Sequence, residues 1–221
     1  MPREAQKLVR QSGFMSAEKF YILSYEGTVT EKKYFNDLRE SELFNDSGTI
    51  ETIPLKRSTT SGSNPLEVKK LLKRAKDEYN FRDTDEFWLI IDRDDWETIH
   101  HIDLKALAEE CKKERNFFLA LSNPCFEFWL ILHLKDLSEF TDEERQLIYE
   151  NGRISDAKHY VDTVIEQAIN NGRGYNKRPD PRIFIPRTKV AIERAKALDA
   201  GGLFPSSLGT DVYKLVEKLI K

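Results

Sequence analysis

The sequence predicts an α/β protein in which a mostly parallel, four-stranded sheet is flanked by helices and followed by a C-terminal helical layer. Three observations carry that prediction. Short apolar runs, among them Phe20-Tyr21-Ile22-Leu23 and Phe87-Trp88-Leu89-Ile90-Ile91, have the length and the aromatic and β-branched content of buried strands. They alternate with stretches of helical periodicity in a βαβα order, the pattern of a parallel sheet covered on both faces. Beyond Ser122 the strand signals fade and helical segments follow one another.

Residues up to about Ala17 are polar and aperiodic, so 1–17 is expected to form a loosely held arm. Lys19 to Tyr25 reads as the first strand and Thr30 to Leu43 as the first helix, with Thr30 as its N-cap. The second strand is expected over Thr49 to Leu55, ended by Pro54 and the polar loop Ser58 to Asn64. Asn64 then caps, and Pro65 opens, a helix that runs to about Tyr79. Glu86 to Ile91 is the third strand, Asp103 to Arg115 a helix, and Asn116 to Ser122 the fourth strand. Pro124 introduces Cys125 to His133, a helix apolar on nearly every side and therefore expected to be buried. Further helices are expected over Thr141 to Glu150, Ser155 to Asn170, Pro186 to Leu198 and Asp211 to Ile220, with glycine-containing breaks between them. This divides the chain into an α/β unit over 18–134 and a helical region over 135–221.

A chain of 221 residues buries one sizeable core, and 39% hydrophobic with 33% charged residues excludes a disordered polymer. With no apolar run of bilayer length and no basic-then-apolar leader, the expectation is a cytoplasmic protein with no membrane partner. Cys111 and Cys125, the only cysteines, read as free thiols, and the scattered histidines show no zinc-ligand spacing. The net charge of −3 hides an asymmetry: ten acids against Arg82 and Arg93 between Asp77 and Asp103, then eight basic residues against Asp180 and Glu193 between Asn170 and Ala197. The basic stretch, with Lys177, Arg178, Arg187 and Lys189 at its centre, suits a polyphosphate partner or is simply a solvated face.

The acids are the more informative half. Glu26 directly follows the first strand, while Asp92 and Asp94 follow the third, and carboxyl ends of neighbouring parallel strands open onto one crevice. Carboxylates gathered without a cation raise one another's pKa, so a hard divalent ion with oxygen ligands, Mg²⁺ or Mn²⁺, is the expected resolution. Glu31 shares a helix face with Tyr34, Phe35 and Leu38, and Glu127 shares one with Leu130 and Ile131. A carboxylate on an apolar stripe needs a cation or a donor, although Glu31 also lies in a first turn where helix-dipole compensation alone explains it. Ser122 and Asn123 are placed to meet a phosphate or to cap the next helix, and His133 reads as a satisfied core histidine.

Three strings, Tyr25-Glu26-Gly27-Thr28-Val29-Thr30-Glu31, Trp88-Leu89-Ile90-Ile91-Asp92-Arg93-Asp94 and Ser122 through His133, together with the closing Thr210 to Val216, resemble RloB-like proteins, a bacterial family found around restriction and abortive-infection loci. That family is similar in turn to Toprim domains, the metal-binding fold of topoisomerases, primases and OLD-type nucleases. The resemblance implies a Toprim-like sheet with Glu26, Asp92 and Asp94 as Mg²⁺ ligands. It further implies a toxic nuclease effector acting on DNA or RNA and governed by an ABC-type or AAA ATPase encoded nearby. The chain has no Walker loop of its own, which agrees with an outside ATPase. Two other readings stay open: a phosphatase of the haloacid dehalogenase type using Asp92, Asp94 and Ser122, and a non-catalytic regulatory subunit. A homo-oligomer is compatible with either.

Overall fold

The computed structural model describes residues 19–27, 29–52, 64–78, 81–94, 96–156, 158–169 and 174–221. The expected N-terminal arm, most of the loop after the second strand, Tyr79 and Arg173 lie outside them. Strands β1 (Lys19–Tyr25), β2 (Gly48–Thr52), β3 (Glu86–Asp92) and β4 (Phe117–Asn123) run parallel, and β7 (Gly209–Thr210) adds antiparallel to the edge. The order across the sheet is β2-β1-β3-β4-β7. The fifth strand corrects the expected four: two residues are too short to leave any periodicity in the sequence.

Side chains alternate across this sheet as strand geometry requires. Leu23, Tyr25, Trp88, Ile90 and Ala120 join one apolar cluster, whereas Ile22, Phe87, Leu89, Ile91 and Leu121 join the other. Helices α2 (Pro65–Glu78) and α3 (Leu104–Lys113) cover the second face with Val68, Leu72, Leu104, Leu107 and Cys111. The first face is covered by α1 (Thr30–Arg39) through Tyr34, Phe35 and Leu38, and by α4 (Phe126–Leu134). Every residue of α4 from Phe126 to His133 is buried, which is what an all-round apolar helix demands. It packs between the sheet and two later helices, α6 (Tyr160–Ile169) and α8 (Thr188–Leu198). His133 is a neutral core histidine: its Nδ1 lies 2.9 Å from the Trp129 carbonyl and its Nε2 3.2 Å from the Tyr34 hydroxyl, and burial pushes its pKa down to about 3.

Between these elements run α5 (Asp142–Glu150), a short hairpin of β5 (Arg153–Ser155) and β6 (Lys158–His159), and α7 (Pro181–Phe184), with α9 (Val212–Leu219) closing the chain. Several expected boundaries move. The helix expected from Ser155 starts at Tyr160, because the preceding residues pair as that hairpin. The helix expected from Pro186 starts at Thr188, after α7 and a 3₁₀ turn over Ile185–Arg187. The first helix stops at Arg39, and its N-cap position is Val29; the Thr30 hydroxyl is drawn away to Glu127, 3.0 Å distant. The Asn64 cap is found as expected, its Oδ1 accepting from the Glu67 N–H at 3.0 Å. Cys111 and Cys125 are buried free thiols. Among the described residues no helix is long and apolar enough to cross a membrane.

The contact between α1 and α4 holds the site described next. Phe35 is fully buried there, its ring 6.1 Å from that of Phe126 and 5.5 Å from that of Tyr34. Phe35→Ala is expected to lower the unfolding free energy by about 3–5 kcal/mol, read from urea denaturation. A loss below about 1 kcal/mol would show that this layer does not support the fold as described.

Candidate metal centre

Adjacent parallel strands β1 and β3 are in a register that sets Tyr25 opposite Ile90, so Glu26 and Asp92 emerge at the same end of the sheet. The Glu26 N–H donates to the Ile90 carbonyl at 3.2 Å, which fixes the step out of β1. Glu26 is buried, and among the described residues its Oε2 has no hydrogen-bond partner. Asp92 accepts from the Phe126 N–H at 2.8 Å, at the N-terminus of α4, where the exposed donors and the helix dipole favour a negative charge.

The two-residue spacing of Asp92 and Asp94, which on a continuing strand would point both side chains the same way, is not what places Asp94. The strand ends at Asp92, and Asp94 lies beyond it in a turn with φ of 37°, where its N–H donates to the Pro124 carbonyl at 3.1 Å. That turn, not strand alternation, brings its charge close to Glu26 and Asp92. Glu31 reaches back from α1 to accept from the Gly27 N–H at 2.9 Å. A Cβ on residue 27 would come within 2.2 Å of that carboxylate, so any other residue there would make the Glu31 side chain shift.

Glu127, on α4, accepts from the Thr30 hydroxyl at 3.0 Å and lies 3.9 Å from the Lys177 ammonium. Lys177 stands equally far from Asp162, a buried carboxylate in the first turn of α6. The Thr30 hydroxyl also lies 3.1 Å from the Lys177 carbonyl, so one side chain ties the loop before α7 to α1 and α4. Asp162 was missed by the sequence reading; its neighbours Val161 and Ile165 give it the same apolar surroundings that singled out Glu127. Its Oδ2 accepts from the His159 N–H at 2.9 Å, while its Oδ1 has no partner among the described residues.

The electrostatics follow from this packing. Burial raises the Glu26 pKa to about 8, with the charge of Asp94 adding to it and the Asp92 N–H and Trp96 opposing. Glu31 is raised to about 7 by burial and by Glu127. Asp92 is pushed well above the usual carboxylate range by burial, with Asp94, Glu31, Glu26 and Glu127 all contributing. Burial works against the Lys177 ammonium, but Glu127 and Asp162 outweigh it and its pKa rises.

Asp92, Asp94, Glu127 and Lys177 line a cavity of about 640 Å³, whereas Arg178, Arg187 and Lys189 are exposed elsewhere on the surface. The Ser122 hydroxyl is buried against Thr210 Oγ1 at 2.8 Å rather than facing the crevice, whereas Asn123 donates to the Pro205 carbonyl at 3.3 Å and lines the cavity; neither caps α4. The N-cap of α4 is Cys125.

Among the described residues no group of three or more His, Cys, Asp or Glu side chains is arranged to hold a metal ion. The carboxylates have instead turned to donors of the protein: the Phe126 N–H, the Gly27 N–H and the Thr30 hydroxyl. The donor set nevertheless suits a hard cation, being all oxygen, mutually repelling and provided with an unpartnered Glu26 Oε2.

An α/β protein with a mixed sheet, flanking helices and acids gathered at the carboxyl ends of its parallel strands has a broadly Toprim-like topology. The chain belongs to the RloB-like protein family, whose family model matches residues 21–219. Comparison with curated proteins and with solved structures gave no match in either case.

Raised carboxyl pKa values mean that the native state binds more protons than the unfolded chain between 4.5 and about 8. These groups therefore favour the fold at low pH and lose that contribution as pH rises through the window. In EDTA the melting temperature is expected to fall across that range, with a shallower slope in Glu26→Gln. Added Mg²⁺ or Mn²⁺ should restore stability at the alkaline end and have little effect at the acidic end. Equal slopes for the wild type and Glu26→Gln would contradict the assignment.

Proposed function

We propose that this protein is a divalent-cation-dependent nuclease, hydrolysing phosphodiesters of DNA or RNA as the effector of a bacterial defence system. The observation that carries the reading is the convergence of Glu26 and Asp92 at the ends of two neighbouring parallel strands with Asp94 in the turn that follows, and with buried Glu26 Oε2 left unpartnered among the described residues. These three would hold Mg²⁺ or Mn²⁺. A bound divalent ion supplies charge neutralisation at the scissile phosphate and a water acidified towards neutrality.

The remaining roles belong to the chain itself. Glu127 lines the cavity with its Oε1 held by the Thr30 hydroxyl and near Lys177, and its carboxylate would orient a water and accept its proton. Glu31, held on the Gly27 N–H, fixes the Glu26 loop. Lys177 sets a positive charge at the cavity wall to meet a phosphate oxygen, and Arg178, Arg187 and Lys189 would contact flanking phosphates without regard to sequence. A partner ATPase encoded nearby would restrain or trigger the activity, since the chain contains no nucleotide-binding loop of its own.

The phosphatase alternative loses support at Ser122, whose buried hydroxyl is engaged by Thr210. Glu26 and Glu127 also have no task in it. Purified wild type, Glu26→Gln and Asp92→Asn are to be incubated with plasmid, single-stranded DNA and total RNA, with Mg²⁺ or Mn²⁺, with and without the neighbouring ATPase. Cleavage by the wild type and a loss of roughly 100-fold or more in both folded variants is the expected result. Cleavage that persists undiminished in Asp92→Asn would end the nuclease reading.

A further inference from the structure

Phosphodiester hydrolysis needs oxygens, charge and water, yet one wall of this cavity is aromatic. Besides Asp92, Asp94 and Glu127, its lining residues include Trp96, His100 and Tyr149. The rings of Trp96 and His100 lie 4.7 Å apart at 42°, and Tyr149, 38% exposed, sets its hydroxyl 3.5 Å from Arg93 Nη1. Arg93 is itself fixed by Glu97 and by the Ser206 carbonyl, which it meets at 3.0 Å. Trp88 and Trp129 are buried at 2% and 0% exposure, so of the three tryptophans only the half-buried Trp96 meets this cavity.

Trp96 is also oriented. Its carbonyl accepts from the Ile102 N–H at 2.9 Å, and its indole Nε1 is buried on the side of Glu26. The indole thus turns its polar edge towards the acids while part of its surface remains on the cavity. Part of its surface packs against the second apolar cluster, and the part left on the cavity is the face that a ligand would meet.

We infer that the wall formed by Trp96, His100 and Tyr149 is a nucleobase-stacking subsite, and that the substrate is an unpaired nucleotide in a single strand or loop. Bases stack on aromatic and imidazole rings whatever their sequence, but only when their faces are free, which a duplex does not allow. A cavity of about 640 Å³ is of a size that takes a small ligand such as a nucleotide. Arg93 beside Tyr149 supplies a charge for the adjoining phosphate. The inference rests on the phosphodiester reading of the acids, but binding tests it without cleavage.

The test uses the whole protein in EDTA at low salt and follows tryptophan emission. A mixed-sequence single strand, as DNA and as RNA, and the blunt duplex of each are titrated separately. Either single strand is expected to quench Trp96 and to bind about tenfold or more tightly than its duplex. The better of the two identifies the natural sugar. Trp96→Ala should weaken single-strand binding by roughly five- to hundredfold, whereas Trp96→Phe, which keeps a stacking face, should hold most of it. His100→Ala, at an exposed position tolerant of substitution, should cause a smaller loss without disturbing the fold. Single strands and duplexes bound equally, no quenching, or no binding at all would overturn the inference, as would unchanged affinity in Trp96→Ala. Preserved stacking in a protein that never cleaves would instead leave the subsite intact and remove the nuclease assignment.

Discussion

Like charges held together out of water are the constraint around which this protein is arranged. Glu26, Glu31 and Glu127 are buried, and Asp92 and Asp94 stand close enough to perturb them. Unit charges about 4 Å apart at an effective dielectric near 20 repel by about 4 kcal/mol, a large fraction of a domain's net stability. The fold tolerates the cluster through partial remedies. Asp92 sits at the start of α4, Glu31 on the Gly27 N–H, and Glu127 within reach of Lys177, but Glu26 Oε2 receives nothing from the described residues. An arrangement that satisfies its acids one at a time and leaves one short is what the proposed Mg²⁺ or Mn²⁺ would complete.

Holding such a cluster in place requires rigid support, and the apolar packing provides it. Helix α4 is buried along its length, so its first turn cannot retreat from Asp92 without opening the core. Phe126 and Phe128 flank Glu127 at 1% and 0% exposure, which confines the carboxylate to the crevice side. The C-terminal region shares in this support: Asp162 and Lys177 come from beyond residue 134, as do Ile165 and Ile192 in the cluster against α4. Strand β7 clasps the end of β4 through the Ser122 and Thr210 pair, immediately before the turn into α4. The conformations of both chain segments are thereby coupled at the site.

How much of this could be read in the sequence depended on whether the signal was periodic. The parallel strands were legible because short runs such as Phe87 to Ile91 are apolar and bounded by polar residues. The convergence of Glu26 with Asp92 followed from the rule that parallel strands share one open end. Features made by a few residues were not legible. Strand β7, the β5 and β6 hairpin and the short α7 each involve four residues or fewer per element, too few to show a period. Asp94 was selected for a reason of strand alternation that does not apply, since a turn with positive φ places it. The Thr30 hydroxyl was assigned to a cap because tertiary partners such as Glu127, 97 positions away, leave no local mark.

Asp162 and Lys177 show how a nearly local rule could have gone further. A carboxylate surrounded on its helix by Val161, Val164 and Ile165 is as conspicuous in the sequence as Glu127, whereas the φ of 61° at Lys177, which only the structure shows, marks a backbone held by something specific. What holds it is the pair of acids that its ammonium faces and the Thr30 hydroxyl at its carbonyl. Lys177 therefore does two things with one residue: its backbone joins the C-terminal region to α1, and its side chain answers charge in the crevice. A phosphate entering beside it would compete for the same ammonium and release Glu127 from its only nearby cation among the described residues. Under the proposed function, that exchange would turn a structural ion pair into a working carboxylate.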